Sequence, residues 1–434
     1  MLGCMVAVSS CAPKSASEMS SSPEGTIHQV QLPETLEKPE SPSLIVKDSP
    51  LSLEELESVL LARNPELSAA RSRVQAAEGR LREAGNPPNP ALLLSDGSVG
   101  TGPGGIGRGR EAGVEQEILL PGRLGAAKNV EAAILEQSKL AAAQLELELR
   151  RDLREVLARM TANQLLEQHF WGVIELVDSA VKHAQTEGER LRLETERTDY
   201  LLSITALAVE NSRLGNQLEE LFNQPDFNQV PVSQLPKVWQ ADLNTELLRV
   251  AGELNAENTL EVRGAEYGVR RESAYLEQVR KRIWENPSVS LGAGQDDSGD
   301  ETTARLGVRI PLPLFARQQG NLQEAEAIQD ESKSMKEATR QRVVREVRDL
   351  IQSANELDTF VLEYRNNLLP WSKTAYEEVA NRWSQRQADP EELIAQLERY
   401  HLIAETLVQY EYQLTVTQIR LWAWKESVGT EVVE

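Results

Sequence analysis

The chain of 434 residues carries 46 Lys+Arg against 68 Asp+Glu, a formal charge of −22, with 40% hydrophobic and 26% charged residues. That balance argues against a nucleic-acid binder, whose sequence-independent affinity comes from Lys and Arg on phosphates, and against a disordered chain, which could not bury enough apolar surface. No window holds 18 consecutive apolar residues, so a spanning α-helix is excluded, and the only cysteines, Cys4 and Cys11, leave the body without a disulfide, a thiolate metal site or a cysteine nucleophile.

Residues 1–11 read as a leader. Val8-Ser9-Ser10-Cys11 places small residues before a cysteine, as in a bacterial lipobox, which makes Cys11 the expected lipidation site. The apolar stretch before it is short and no basic segment precedes it, so a longer or trimmed leader is expected. An incidental cysteine in an unstructured tail is the plainer alternative. Residues 12–50 are rich in Ser, Pro and Glu, cannot pack a core, and suit a tether.

The remainder is one unit written twice. Gly113–Arg123 realigns with Gly307–Arg317 at an offset of 194, and Asn89-Pro90 with Asn286-Pro287 at 197. Leu193, Tyr200, Leu207, Leu214 and Leu221 realign with Leu393, Tyr400, Leu407, Leu414 and Leu421 at 200. The expected division is repeat one at 51–224, a proline-punctuated linker at 225–239, repeat two at 240–424 and a tail at 425–434.

Each repeat opens with a helical stretch (65–85; 258–285) that ends at an Asn-Pro pair, since the residue before proline disfavours the helical region. Two strands follow, near 91–99 and 112–120 in the first repeat and near 288–295 and 304–312 in the second. In Ala304–Leu312 every even position is apolar and two odd positions are Arg, which fits a transmembrane β-strand with one face to lipid and one to a wet lumen. Ala112–Leu120 alternates less cleanly, with Gln116 on its apolar face. Four strands cannot close a barrel, because the smallest have eight, so several chains would have to contribute. Packing of two ordinary hairpins on helices is the competing expectation.

Long helices come next, at about 122–187 and 316–386, each followed by a shorter returning helix. The first would reach roughly 100 Å. The Leu/Tyr columns advance by seven, the period of helices that lie against other helices. Pro370 removes one backbone hydrogen bond and should bend the second long helix.

Four segments carry a family resemblance: Asn64-Pro65-Glu66-Leu67, Ala76–Gly85, Pro88-Asn-Pro90 and Pro311-Leu-Pro-Leu-Phe315-Ala-Arg-Gln-Gln-Gly320. The chain after residue 50 resembles the TolC family of outer-membrane efflux ducts, with the nearest look to its CzcC/CusC-like heavy-metal efflux factors. The resemblance implies a mainly α fold with a small membrane β-barrel part. Three chains would form a twelve-stranded barrel above an α-helical periplasmic barrel. It also implies a passive conduit in the outer membrane of a diderm bacterium, lipid-anchored, working with a periplasmic adaptor (a membrane fusion protein) and an inner-membrane RND-type pump. Heavy-metal cations are the expected cargo. Export of drugs or other small molecules, and a non-membrane helical scaffold, are the alternatives.

In that family the turns between long and returning helices form the periplasmic tip, so Glu187, Glu189, Arg190, Asp389, Glu391 and Glu392 are the candidates for the aperture and the adaptor contact. Repeated carboxylates would favour cations; the competing reading is that they complement helix dipoles. No cofactor, catalytic triad or phosphate loop is legible, and an enzyme is not expected. The four histidines (His28, His169, His183, His401) show no His or Cys partner at ligand spacing, and His169 and His183 lie roughly 21 Å apart along one helix, so no metal site is expected.

Overall fold

The computed structural model describes residues 52–101, 105–225, 232–253, 255–296, 302–312 and 318–429, all within the unit 43–434. The leader, Cys11, the tether, residues 313–317 of the Pro-Leu-Pro-Leu-Phe block and residues 430–434 lie outside the described residues.

The first element is a helix the sequence reading did not anticipate, α1 (Leu53–Arg63). Ser52 starts it with a capping box: its hydroxyl accepts from the Glu55 amide, and the Glu55 carboxylate accepts from the Ser52 amide. Asn64 then ends α1 and caps α2 (Pro65–Glu83). Its Oδ1 accepts from Leu67 N at 3.0 Å, and its Nδ2 donates to the Leu221 carbonyl at 3.0 Å. One side chain thus turns the chain and pins the turn to the backbone at Leu221.

β1 (Ala91–Thr101) and β2 (Gly105–Glu117) form the first hairpin and lead into α3 (Arg123–Val181), 59 residues or about 88 Å of helix. α4 (Glu187–Phe222) returns along it, and α2 packs on α3 as well, so two shorter helices line one long one. The second half repeats the plan after α5 (Thr245–Gly252), a helix also not anticipated. α6 (Leu260–Lys281), β3 (Ser288–Asp296), β4 (Thr302–Arg309), α7 (Gln319–Glu363), α8 (Leu369–Ser384) and α9 (Pro390–Gly429) follow in order.

Between α7 and α8 the helix widens into a π-turn over Tyr364–Leu368, where the Leu369 amide donates to the Tyr364 carbonyl. Pro370 follows directly. The bend expected at this proline takes the form of a wider turn that absorbs the missing donor. α9 runs through Gly429, and Ser427 is buried, so residues 425–429 are helix and not the tail expected there.

The heptad columns face helix neighbours. Leu193, Tyr200 and Leu214 on α4, and Leu393, Leu407, Leu414 and Leu421 on α9, are buried. They feed separate core clusters. One gathers Leu153, Leu157, Leu218 and Phe222; another, nearer the helix turns, gathers Phe170, Val177, Leu193, Trp383 and Leu393. α3 is the common element, contacting α2, α4, α6 and α9. No helix among the described residues is long and apolar enough to cross a membrane.

Candidate functional site in the two-faced sheet and the helix turns

The four strands make one antiparallel sheet in the order β1-β2-β3-β4, so the two hairpins join through β2 and β3 although 170 residues separate them in sequence. The register places Leu92, Val114, Leu291 and Leu306 in one row across all four strands, with Leu94, Ala112, Ala293 and Ala304 in the next. Among the described residues nothing covers these side chains: Leu94 and Leu306 are each 73% exposed. The row beyond, Asp96, Arg110, Gln295 and Thr302, is polar and ends the apolar band. Gln116 interrupts the band, but its amide turns back to donate to the Pro88 and Glu117 carbonyls.

The opposite face is polar and internally paired. Glu111 accepts from Arg305 at 2.9 Å, Arg309 lies 3.4 Å from Glu115, Ser288 donates to Glu115 at 2.5 Å, and Asn286 donates to Glu117 at 2.6 Å. Gly113 and Gly292 stand opposite each other on this face; a Cβ on Gly113 would lie 2.9 Å from the Leu291 carbonyl oxygen. An uncovered apolar face backed by a charged one suits a wall between lipid and water. The outer edges of β1 and β4 have no strand partner among the described residues, and in a bilayer such edges must be paired.

At the far end, the turns α3–α4 and α8–α9 lie side by side. Trp383 Nε1 donates to the Ala180 carbonyl at 3.1 Å, and Arg192 pairs with Glu391 across the two hairpins. All six candidate residues lie in or next to these turns. Glu189 completes a capping box: its carboxylate accepts from the Gln185 and Thr186 amides at 2.7 and 3.2 Å, and these bonds hold its pKa below the usual carboxylate range. Glu187 lies 3.2 Å from Arg190, which also reaches Glu194, and Glu392 pairs with Arg382. Asp389 is exposed, and its carbonyl accepts from the Leu393 amide at the start of α9. Residues 182–192 and 382–392 together hold five carboxylates and, in Lys182, Arg190, Arg192, Arg382 and Arg386, five cations. Within these two segments the formal charges balance, and the carboxylates face cations of the same turns.

Sequence spacing also missed one contact. His169 on α3 and His401 on α9 meet with Nε2 and Nδ1 at 3.2 Å, a pair that ligand spacing along the sequence does not reveal. Their 232-residue separation hides the pairing, which only the α3–α9 packing creates. No group of three or more His, Cys, Asp or Glu among the described residues is placed to hold a metal ion.

No protein-family model matches the chain. Among solved structures, VceC from Vibrio cholerae superposes with a TM-score of 0.72 at 16% identity, covering 88% of this chain and 97% of that one. CusC superposes with a TM-score of 0.67 at 16% identity over 86% and 91%. The fold is that of the TolC-type outer-membrane channels. The chain is also similar in sequence to the cobalt-zinc-cadmium resistance protein CzcC of Cupriavidus metallidurans, 26% identical over 331 residues, 71% of this chain and 73% of the relative. The family resemblance read from the sequence is thereby borne out, and so is the mainly helical fold with its few antiparallel strands. VceC is an outer-membrane protein, and CusC forms a transmembrane channel.

Proposed function

We propose that this chain is the outer-membrane exit duct of a tripartite efflux system. The observation that carries this reading is the four-stranded sheet with one bare apolar face, one paired polar face and two open edges. Three copies, joined β4 to β1, close a twelve-stranded barrel in which every edge is paired. The helices form the periplasmic part, and Cys11 anchors the chain to lipid. Conduction is passive; the energy comes from an inner-membrane RND-type pump, reached through a periplasmic adaptor.

Similarity to CzcC, a protein named for cobalt, zinc and cadmium resistance, supports heavy-metal cations as the cargo. The six turn residues border the aperture or the adaptor contact. Exposed Asp389 and Glu187 face the opening, while Glu189, Glu391 and Glu392 brace the turns through their partners.

Detergent extraction of membrane fractions followed by native mass measurement tests the duct. An outer-membrane trimer is expected, and a soluble monomer overturns it. Sensitivity of a deletion strain to cobalt, zinc and cadmium, against sensitivity to antibiotics, then separates metal export from drug export.

A further inference from the structure

His169 and His401 meet inside the helix bundle, where α3 packs on α9 toward the turns. His169 lies about 18 Å along α3 from Val181, and His401 about 17 Å along α9 from Pro390. Their ring planes are within 8° of parallel, with centroids 5.3 Å apart and facing nitrogens at 3.2 Å. That combination requires the rings to meet edge to edge, joined by one N–H···N hydrogen bond. His401 Nε2 lies 3.4 Å from Glu405 Oε2, so it carries the hydrogen toward that carboxylate. The His401 Nδ1 lone pair then accepts from His169 Nε2–H.

The surroundings are aromatic. Phe170 of α3 and Tyr200 of α4 each lie 5.0 Å from the His401 ring, Tyr400 of α9 lies 5.7 Å from His169, and Tyr376 of α8 stacks on Tyr400. Burial, with a smaller contribution from His401, holds the His169 pKa down to about 4, while Glu405 opposes this. The other charged groups facing the cluster border Tyr200: Glu196 and Asp199 of α4 and Glu398 of α9. Burial, then Glu398, pushes Glu196 upward.

We propose that His169 and His401 form a proton-operated latch between the two helical hairpins: while His169 is neutral the pair ties α3 to α9, and protonation of both rings opens the turn-proximal part of that contact. With a proton on each ring, both facing nitrogens carry hydrogens and the bond between them is lost. Glu405 offsets one positive charge; the second is left among aromatic rings, where an unpaired charge is costly. The direction follows from linkage. A histidine whose folded pKa lies below its ordinary 6.5 leaves the contact complete above that pH and weakens it as the pH falls toward about 4. The latch goes beyond the duct reading and holds for any cargo.

Hydrogen exchange of the full, detergent-extracted protein at pH 7.5 and 4.5, corrected for intrinsic rates, tests it without reference to transport. Wild type is expected to exchange at least about tenfold faster at pH 4.5 in peptides covering 163–175 and 396–406, with peptides at 260–280 unchanged. His169→Phe is expected to abolish that response. Glu405→Gln, a change at a half-exposed position, is expected to deepen that response, because the closed pair loses the counter-charge for its imidazolium while the onset stays near the ordinary histidine value. No excess exchange in wild type, an equal response in His169→Phe, or a response no deeper than wild type in Glu405→Gln each overturns the latch. If His169→Phe fails to assemble, the wild-type and Glu405→Gln profiles decide.

Discussion

Arg192, early in α4, forms an ion pair with Glu391 in the first turn of α9, which makes a carboxylate of one hairpin the counter-ion of the other. Both side chains are more than half exposed, so the pair contributes at most about 1 kcal/mol. Its role is to set the position of one turn against the other, and it works beside a buried bond, Trp383 to the Ala180 carbonyl, that does not depend on salt.

Charge balance at the turns sets the sign of the first prediction. Replacing Asp389→Asn, Glu391→Gln and Glu392→Gln together leaves these turns with three excess positive charges per chain. Bilayer recordings of the triple variant should show reversal potentials displaced toward anion preference, with a smaller displacement at high salt. Unchanged conductance and selectivity would remove these residues from the aperture.

The two faces of the sheet should respond oppositely to one charge. Leu291→Arg puts a guanidinium in the middle of the apolar row, at about 2–4 kcal/mol per chain if that row faces lipid. Ser95→Arg puts the same group on the polar face, directly opposite Glu111. Loss of outer-membrane trimer is expected for the first variant and not for the second. Equal yields from both would mean that the apolar face does not meet lipid.

Gly122 joins β2 to α3 at φ +81°, a conformation that costs an L-residue about 1–2 kcal/mol. Gly122→Ala should lower the thermal midpoint of the extracted protein accordingly. The added Cβ also meets Lys281 Nζ at 2.8 Å, the end of a flexible side chain that can move away. A midpoint equal to wild type would show that the junction relaxes.

Glu189 makes the start of α4 sensitive to acid. A carboxylate whose folded pKa is depressed contributes stability above its unfolded pKa and loses it as the pH falls through the folded value. Exchange protection in residues 184–190 should therefore drop below about pH 4.5, whereas Glu189→Gln should show a weaker, pH-independent cap. A wild-type profile that stays flat to pH 3 contradicts this.

Much of the fold was legible because long, regular elements write regular patterns. Strand alternation placed β3 and β4 within a few residues, and the seven-residue columns found the faces of α4 and α9 that are buried. Short capped elements were not legible. α1 depends on Ser52 and Glu55, a capping box that is readable in hindsight, and α5 packs on α9, a contact no local pattern announces. Likewise, the turn carboxylates could be found from the sequence, but not their partners. Glu391 and Arg192 are 199 positions apart and meet only because the hairpins lie side by side.

By itself, the sequence determined the repeated plan, the positions of strands and long helices, and the absence of an 18-residue apolar run. Periodicity and chain reach are local properties, set by backbone geometry and by which side chains shun water. Only the tertiary structure decided the β2–β3 pairing that merges two hairpins into one two-faced sheet, the neutralisation of the turns, and the meeting of His169 with His401. Those depend on contacts between residues about 170 to 230 positions apart, which are fixed by packing of whole helices and strands and leave no periodic trace along the chain.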